Sequence, residues 1–372
     1  MIAAPETIAT AIQERGKTSL LPGQTPEGKY ILSVLLKRTY DIVPNQVCTR
    51  ASKDKQLFAG DVHWDDPMNS SVRYESEFIP FKLATDVVLN GNAYAPGGVP
   101  TTSCFVSLQV GGIKRQILVT GDRAVTFVEG GAPQFTDPSP FVAMDLRYEL
   151  AYGGIDVYSD KKTSYPYPRN PMGCGFVVNN SARSLKNLAL PNLEDPDERL
   201  TPEKLCLEDY TKWEQQPFPA GFGWFPKTWL PRALRAGILP ADRAIEQELR
   251  QAYATLLSGS QREAYLANPL PDMDFQFFNG ASRGLVFPFL RGGERVATEN
   301  LSQEGALSFS LPSDSPRIGL DIGSGVQESD TVMHSAMIRM EDLQVDLVWR
   351  AANPYEGPEW LPKMRKMEIL VA

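Results

Sequence analysis

CFVSLQVGGIKRQILV, Cys104 to Val119, decides the fold class of this chain. Its halves, CFVSLQV and IKRQILV, are built from residues that suit a pleated strand, and Gly111-Gly112 sits between them. A glycine pair takes the positive φ angles of a type I′ turn without steric cost, so the segment reads as a β-hairpin. Ala124 to Val128 adds a further strand. Upstream, Lys29 to Val43 (KYILSVLLKRTYDIV) is β-like and stops at Pro44, but its middle is too apolar to show which face is buried. Val72 to Phe78 (VRYESEF) alternates. It places Val72, Tyr74, Ser76 and Phe78 on one face and Arg73, Glu75 and Glu77 on a wet one. Asp86 to Tyr94 carries Asn90-Gly91, the mark of a tight turn or bulge.

Downstream the same grammar returns. Short β segments are expected at Leu285 to Leu290, Ala306 to Leu311, Arg317 to Ile322, Thr331 to Met340, Leu343 to Arg350 and Met367 to Val371. Helical signal is confined to the middle. Asp242 to Leu257 puts Ile245, Leu249, Ala252, Tyr253 and Leu256 on one face behind an N-cap at Asp242. Pro202 to Asp209 is a candidate short helix capped by Thr201. The 30 prolines and 29 glycines are spread along all 372 residues, as many short elements require. The expectation is a mainly β, antiparallel sandwich-like fold with long ordered loops. It forms one discontinuous unit over 1–372, with a helical and loop insertion over 195–270. Between Phe141 and Phe176, aromatics alternate with Pro and Gly, which suits an ordered loop packed on its own side chains. Such a loop shapes either the core edge or a partner site.

A net charge of −8 argues against nucleic acid as partner, because phosphate binding draws on clustered Lys and Arg. The one compact basic group, Lys363, Arg365 and Lys366, reads as the solvated side of a final strand. Cys48, Cys104, Cys174 and Cys206 stand far apart with no ligand spacing. The N-terminus lacks the pattern of a signal peptide, and no run approaches the length of a membrane span. A cytoplasmic protein with reduced thiols is the expectation.

Chemical machinery is scarce. His63 with Asp65 and Asp66 is a weak cation pattern better explained as a surface turn before Pro67. No nucleophile elbow or phosphate loop occurs. Asp272 with Asp274, and Glu75 with Glu77, are spaced like paired acids, yet alternate acids on a strand are ordinarily its solvated face. Trp64, Trp224, Phe225, Trp229, Trp349 and Trp360 either line a sugar platform or belong to the core. Gly221 to Pro231 (GFGWFPKTWLP) is dense in rings held by prolines, and large rigid aromatics are the usual anchors of protein interfaces. Partner binding is therefore assigned to Trp64, Tyr152, Tyr165, Tyr167, Trp224, Phe225 and Trp229, with no catalytic residue, no metal and no cofactor. The competing reading is a carbohydrate-binding or carbohydrate-processing β protein.

A series of short motifs carries a resemblance. They are Gly60 to Gly98, Gly121-Asp122-Arg123, YELAYGG at Tyr148 to Gly154, NPMGCGF at Asn170 to Phe176, and LPNLE at Leu190 to Glu194. WLPR at Trp229 to Arg232, PDMDFQFFN at Pro271 to Asn279, LRGGE at Leu290 to Glu294 and FSLP at Phe309 to Pro312 complete the set. In order and number they resemble domain-of-unknown-function family 2169, the adaptor or chaperone proteins found beside type VI secretion effectors. The resemblance implies an intracellular helper that binds a secreted effector and assists its loading onto the spike proteins of the secretion apparatus, without enzyme activity. The chain departs from the family where a Gly-Thr-Tyr-Asp segment is expected soon after WLPR; Ala233 to Leu270 stands there instead.

Overall fold

A computed structural model describes residues 17–24, 29–79, 82, 84–127, 131–157, 164–178, 185–207, 209–227, 232, 279–321, 326–357 and 369–371. Two sheets dominate. The larger runs in the order Thr18–Gln24, Tyr30–Asp41, Gln344–Pro354, Val332–Arg339, Thr85–Asn90, Val286–Phe287, with Thr49–Arg50 beside Tyr30–Asp41. Its pairs are antiparallel except Val332–Arg339 against Thr85–Asn90, which is parallel. Parallel neighbours need a crossover, and here most of the chain lies between them. The first and last thirds of the sequence therefore share one sheet. Tyr30–Asp41 is a central strand buried along nearly its whole length, which is why its sequence gives no inside and outside.

The second sheet is antiparallel throughout: Leu193–Glu194, Ile113–Thr120, Ser103–Val110, Arg295–Ser302, Gly305–Ser310. The expected hairpin sits at its centre with Val110 opposite Ile113, but only Gly111 of the glycine pair takes a positive φ, 55°, so the turn is not the expected type I′. Val106, Leu108, Val119 and Val296 of this sheet share one core with Val87, Leu89, Leu347 and Trp349 of the other. Two sheets closing on one apolar layer make a sandwich, and each fully buried aliphatic side chain contributes about 1.5–3 kcal/mol. A smaller core of Leu32, Val34, Leu36, Ile318 and Leu320 seats a third, three-stranded sheet on the larger one.

Past Tyr148, the aromatic segment after Phe141 joins Leu185, Leu190, Leu200, Leu205 and Trp213 in a separate core. Tyr152 meets Tyr167 edge-on at 5.2 Å, and Tyr167 meets Trp213 at 6.2 Å. Their hydroxyls are satisfied inside, Tyr152 donating to Gln216 at 2.8 Å and Tyr167 to the Pro217 carbonyl at 3.0 Å. Asn170 of the NPMGCGF motif donates to the Tyr148 and Tyr152 carbonyls at 2.8 and 3.1 Å. Gly153 lies so close to the Asn170 carbonyl that no Cβ fits there.

The expected helices fare differently from the strands. Helix at Pro202 shrinks to a single 3₁₀ turn, Pro202–Lys204, whose Thr201 makes no side-chain cap. The chain then leaves in extended form, and Cys206 bridges Val177. Asp242 to Leu257 lies outside the described residues, so the mid-chain helical insertion finds no support.

Candidate interaction surface

Of the seven residues assigned to partner contact, four are interior. Tyr152, Tyr167, Trp224 and Phe225 are buried in the two cores. The correction has a simple cause: a ring contributes most when all its apolar surface leaves water, and the loops that carry these rings fold over them. Tyr165 is half-buried against Tyr210, and Trp229 lies outside the described residues. Trp349 is buried as well, which removes three of the six rings from any sugar platform. Trp64 is half-exposed within a network of charges.

The strand read as half-wet is also inverted. Only Val72–Tyr74 is strand, and Glu75 and Glu77 point inward with 1% and 4% exposure. Each has a buried cation waiting. Lys37 donates to Glu77 at 2.8 Å and to the Gln56 carbonyl at 3.1 Å, and its ammonium lies 4.3 Å from the Phe58 ring centre. Arg232 pairs with Glu75, which Lys227 approaches at 3.4 Å. Beside them Lys82 pairs with Asp86, whose carboxylate also accepts the Gly280 and Ala281 amides at 3.0 Å. Asp346 accepts from Thr39 at 2.7 Å and faces the Arg339 guanidinium at 3.1 Å. These acids and bases form a matched, nearly dry layer between the larger sheet and the segments laid across it. Buried charges persist only when paired and hydrogen-bonded. Burial pushes the Glu77 carboxyl above its usual range while Lys37 pulls it back. Burial, with Lys82 and Arg350 nearby, keeps His334 well below the usual imidazole value. One signal in the sequence pointed this way: Lys37 interrupts an apolar run in a strand too long to be half-wet.

From this layer a stack of side chains leads outward. Phe58 lies flat on Tyr74 at 4.7 Å, and the Arg73 guanidinium sits 5.2 Å from Tyr74 and 4.4 Å from Trp64. A second guanidinium, Arg147, lies 4.4 Å from the same indole centre. Cation–π contacts of this kind contribute about 0.5–2 kcal/mol each. Arg147 also pairs with Asp65 and Asp145 at 3.1 Å, and Arg73 with Glu341 at 3.0 Å. Trp64 is thus the point where three connections converge: the 62–74 hairpin, the 145–149 segment and the 340–343 turn. Glu149 fixes the hairpin further, accepting from the Ser71 amide and hydroxyl at 2.6 and 2.7 Å.

The turns themselves are ordered. Asp66 accepts the Met68 amide at 3.0 Å, and Ser70 accepts the Asp65 amide at 3.0 Å. The Ser70 carbonyl holds His63 Nδ1 at 2.9 Å. The H-x-D-D pattern is therefore the surface turn expected of it. Leu343 takes a φ of 48°, an uncommon conformation for a branched aliphatic residue, and its carbonyl accepts the Ile42 amide at 2.7 Å. Among the described residues no group of His, Cys, Asp and Glu is placed to hold a metal ion, and no helix is long and apolar enough to cross a membrane. Trp64 stands out in the sequence, whereas Arg73 and Arg147, which flank its ring, carry no local signal.

Comparison with family models matches residues 27–350 to a family described as an uncharacterized protein conserved in bacteria, DUF2169. No curated protein and no solved structure matches.

Proposed function

The chain belongs to the bacterial family DUF2169, and on that premise we propose that it is a cytoplasmic adaptor. It binds a type VI secretion effector and assists its loading onto the spike proteins by protein–protein contact alone. The observation that supports this most is the Trp64 junction. Three loops at one end of a sandwich are fixed by two arginine–indole stacks and four ion pairs or bidentate hydrogen bonds, and the fixed backbone carries side chains out to solvent. Loops held rigidly by a scaffold are where recognition residues are commonly mounted. The paired acids Glu75 and Glu77, which a sugar hydrolase would need free, are bound to Arg232 and Lys37.

Tagged protein purified from its native cell and read by mass spectrometry tests the proposal. The expected result is one secreted effector held in simple stoichiometry, with its delivery reduced at least tenfold when the adaptor is deleted. Normal delivery of every effector from the deletion strain would refute it.

A further inference from the structure

Two large apolar side chains stand exposed on the turns that meet at Trp64: Met68 at 77% and Leu343 at 43%. Arg73, over Trp64 and bonded to Glu341, joins the turn that bears Leu343 to the hairpin that bears Met68. The carboxylates around them are more open than the two arginines. Asp65 is 75% exposed, Glu341 54%, Asp145 49% and Asp342 47%, against 32% for Arg73 and 29% for Arg147. Both arginines already spend their charge within the surface, against the indole and paired with these acids. Lys55 lies 3.9 Å from Asp342, which also pairs with the nearly buried Arg339. With Asp66 exposed as well, five carboxylates (Asp65, Asp66, Asp145, Glu341, Asp342) face four cations (Arg73, Arg147, Lys55 and the nearly buried Arg339). What an approaching chain meets is apolar contact area inside a negative field.

We infer that this end of the sandwich docks a cationic segment of the partner polypeptide, one in which Lys or Arg alternates with aliphatic residues. The cations reach the outer oxygens of Asp65, Glu341 and Asp342, and the aliphatic side chains cover Met68 and Leu343. The Trp64 stack is the floor, since its arginines occupy the ring from within the chain. A segment of the opposite sign is rejected by the same carboxylates, which gives the face selectivity as well as affinity. The inference rests on the adaptor reading and specifies its partner.

Calorimetric titration of the full chain with two synthetic 14-residue peptides tests the face, one alternating Lys with Leu and Ile, the other with Glu in place of Lys. The Lys peptide is expected to bind at low salt and to weaken about tenfold between roughly 50 and 300 mM salt, as screening shortens the reach of surface charge. The Glu peptide should not bind. Asp65→Lys with Glu341→Lys should weaken the Lys peptide at least tenfold, and Met68→Ser, at a side chain with little to unpack, about threefold. Equal binding of the two peptides, or Lys-peptide binding that survives both variants, overturns the inference. So does self-association abolished by charge reversal with no peptide bound, which assigns the face to a second copy. Effector captured equally by wild type and the charge-reversed variant also overturns the face while leaving the adaptor reading intact; failure of both to capture any effector removes the adaptor reading itself.

Discussion

Lys37→Met should be among the most damaging single substitutions in this protein, although it replaces a charge with an apolar side chain of similar length inside a core. Lys37 has no exposed surface, and it neutralises Glu77 at 2.8 Å with Asp346 at 3.9 Å. Removing the ammonium leaves Glu77, 4% exposed, with the Phe58 amide at 2.8 Å as its remaining donor. Breaking one side of a buried pair costs about 3–5 kcal/mol. An unfolding entropy of about 2.1 cal/mol/K per residue over 372 residues converts that into a fall of about 4–6 °C in Tm. The pH dependence has a definite sign. Burial already raises the Glu77 carboxyl in the folded state, and losing Lys37 raises it further. A carboxyl whose folded value lies above its unfolded value favours folding below the unfolded value and loses that contribution as pH climbs through the folded one. The variant is therefore weakest near neutrality and approaches wild type on acidification toward about pH 5. Urea denaturation at several pH values measures this, and adding Glu77→Gln should recover at least half the loss. A single variant within about 1 kcal/mol of wild type, or a double variant no better than the single, would refute the buried-pair account.

Two further outcomes follow from other parts of the structure. Gly280→Ala should cost more than about 3 kcal/mol in thermal or urea unfolding, because a Cβ there meets the Arg232 guanidinium, the Glu75 carboxylate and the Trp224 ring. Burial pushes the Asp54 carboxyl up, but hydrogen bonds from Arg50, Lys17 and the Thr39 amide override it and leave it at about 2. Its folded value is thus below its unfolded one, so its contribution is present above about pH 4 and lost toward pH 2. Arg50→Gln, removing a half-exposed partner, should cost about 1 kcal/mol at pH 6, with the gap closing in urea melts near pH 2–3.

Local chemistry along the chain sets the class of fold and several of its long strands, because a two-residue period and a glycine turn are local, while Thr18–Gln24 and the central Arg295–Ser302 carry no such expectation. The 104–119 hairpin, the strand ending before Pro44 and the run from Val332 to Pro354 are all where local chemistry puts them. The sequence determined the family too, since motif order is a property of the chain. Only the tertiary structure decided which rings are anchors of the core and which face water. Tyr152, Tyr167, Trp224 and Phe225 are as aromatic as Trp64, and nothing in their neighbours' identities says that a loop folds over them. The acids of VRYESEF were read as wet because their partners lie far away in the sequence: Lys37 is 40 residues from Glu77, and Arg232 is 157 from Glu75. A charge is solvated or paired according to what the fold brings opposite it, and pairing at such separations has no local signature. The same holds for Arg73 and Arg147, which define the Trp64 surface only once three distant turns have met.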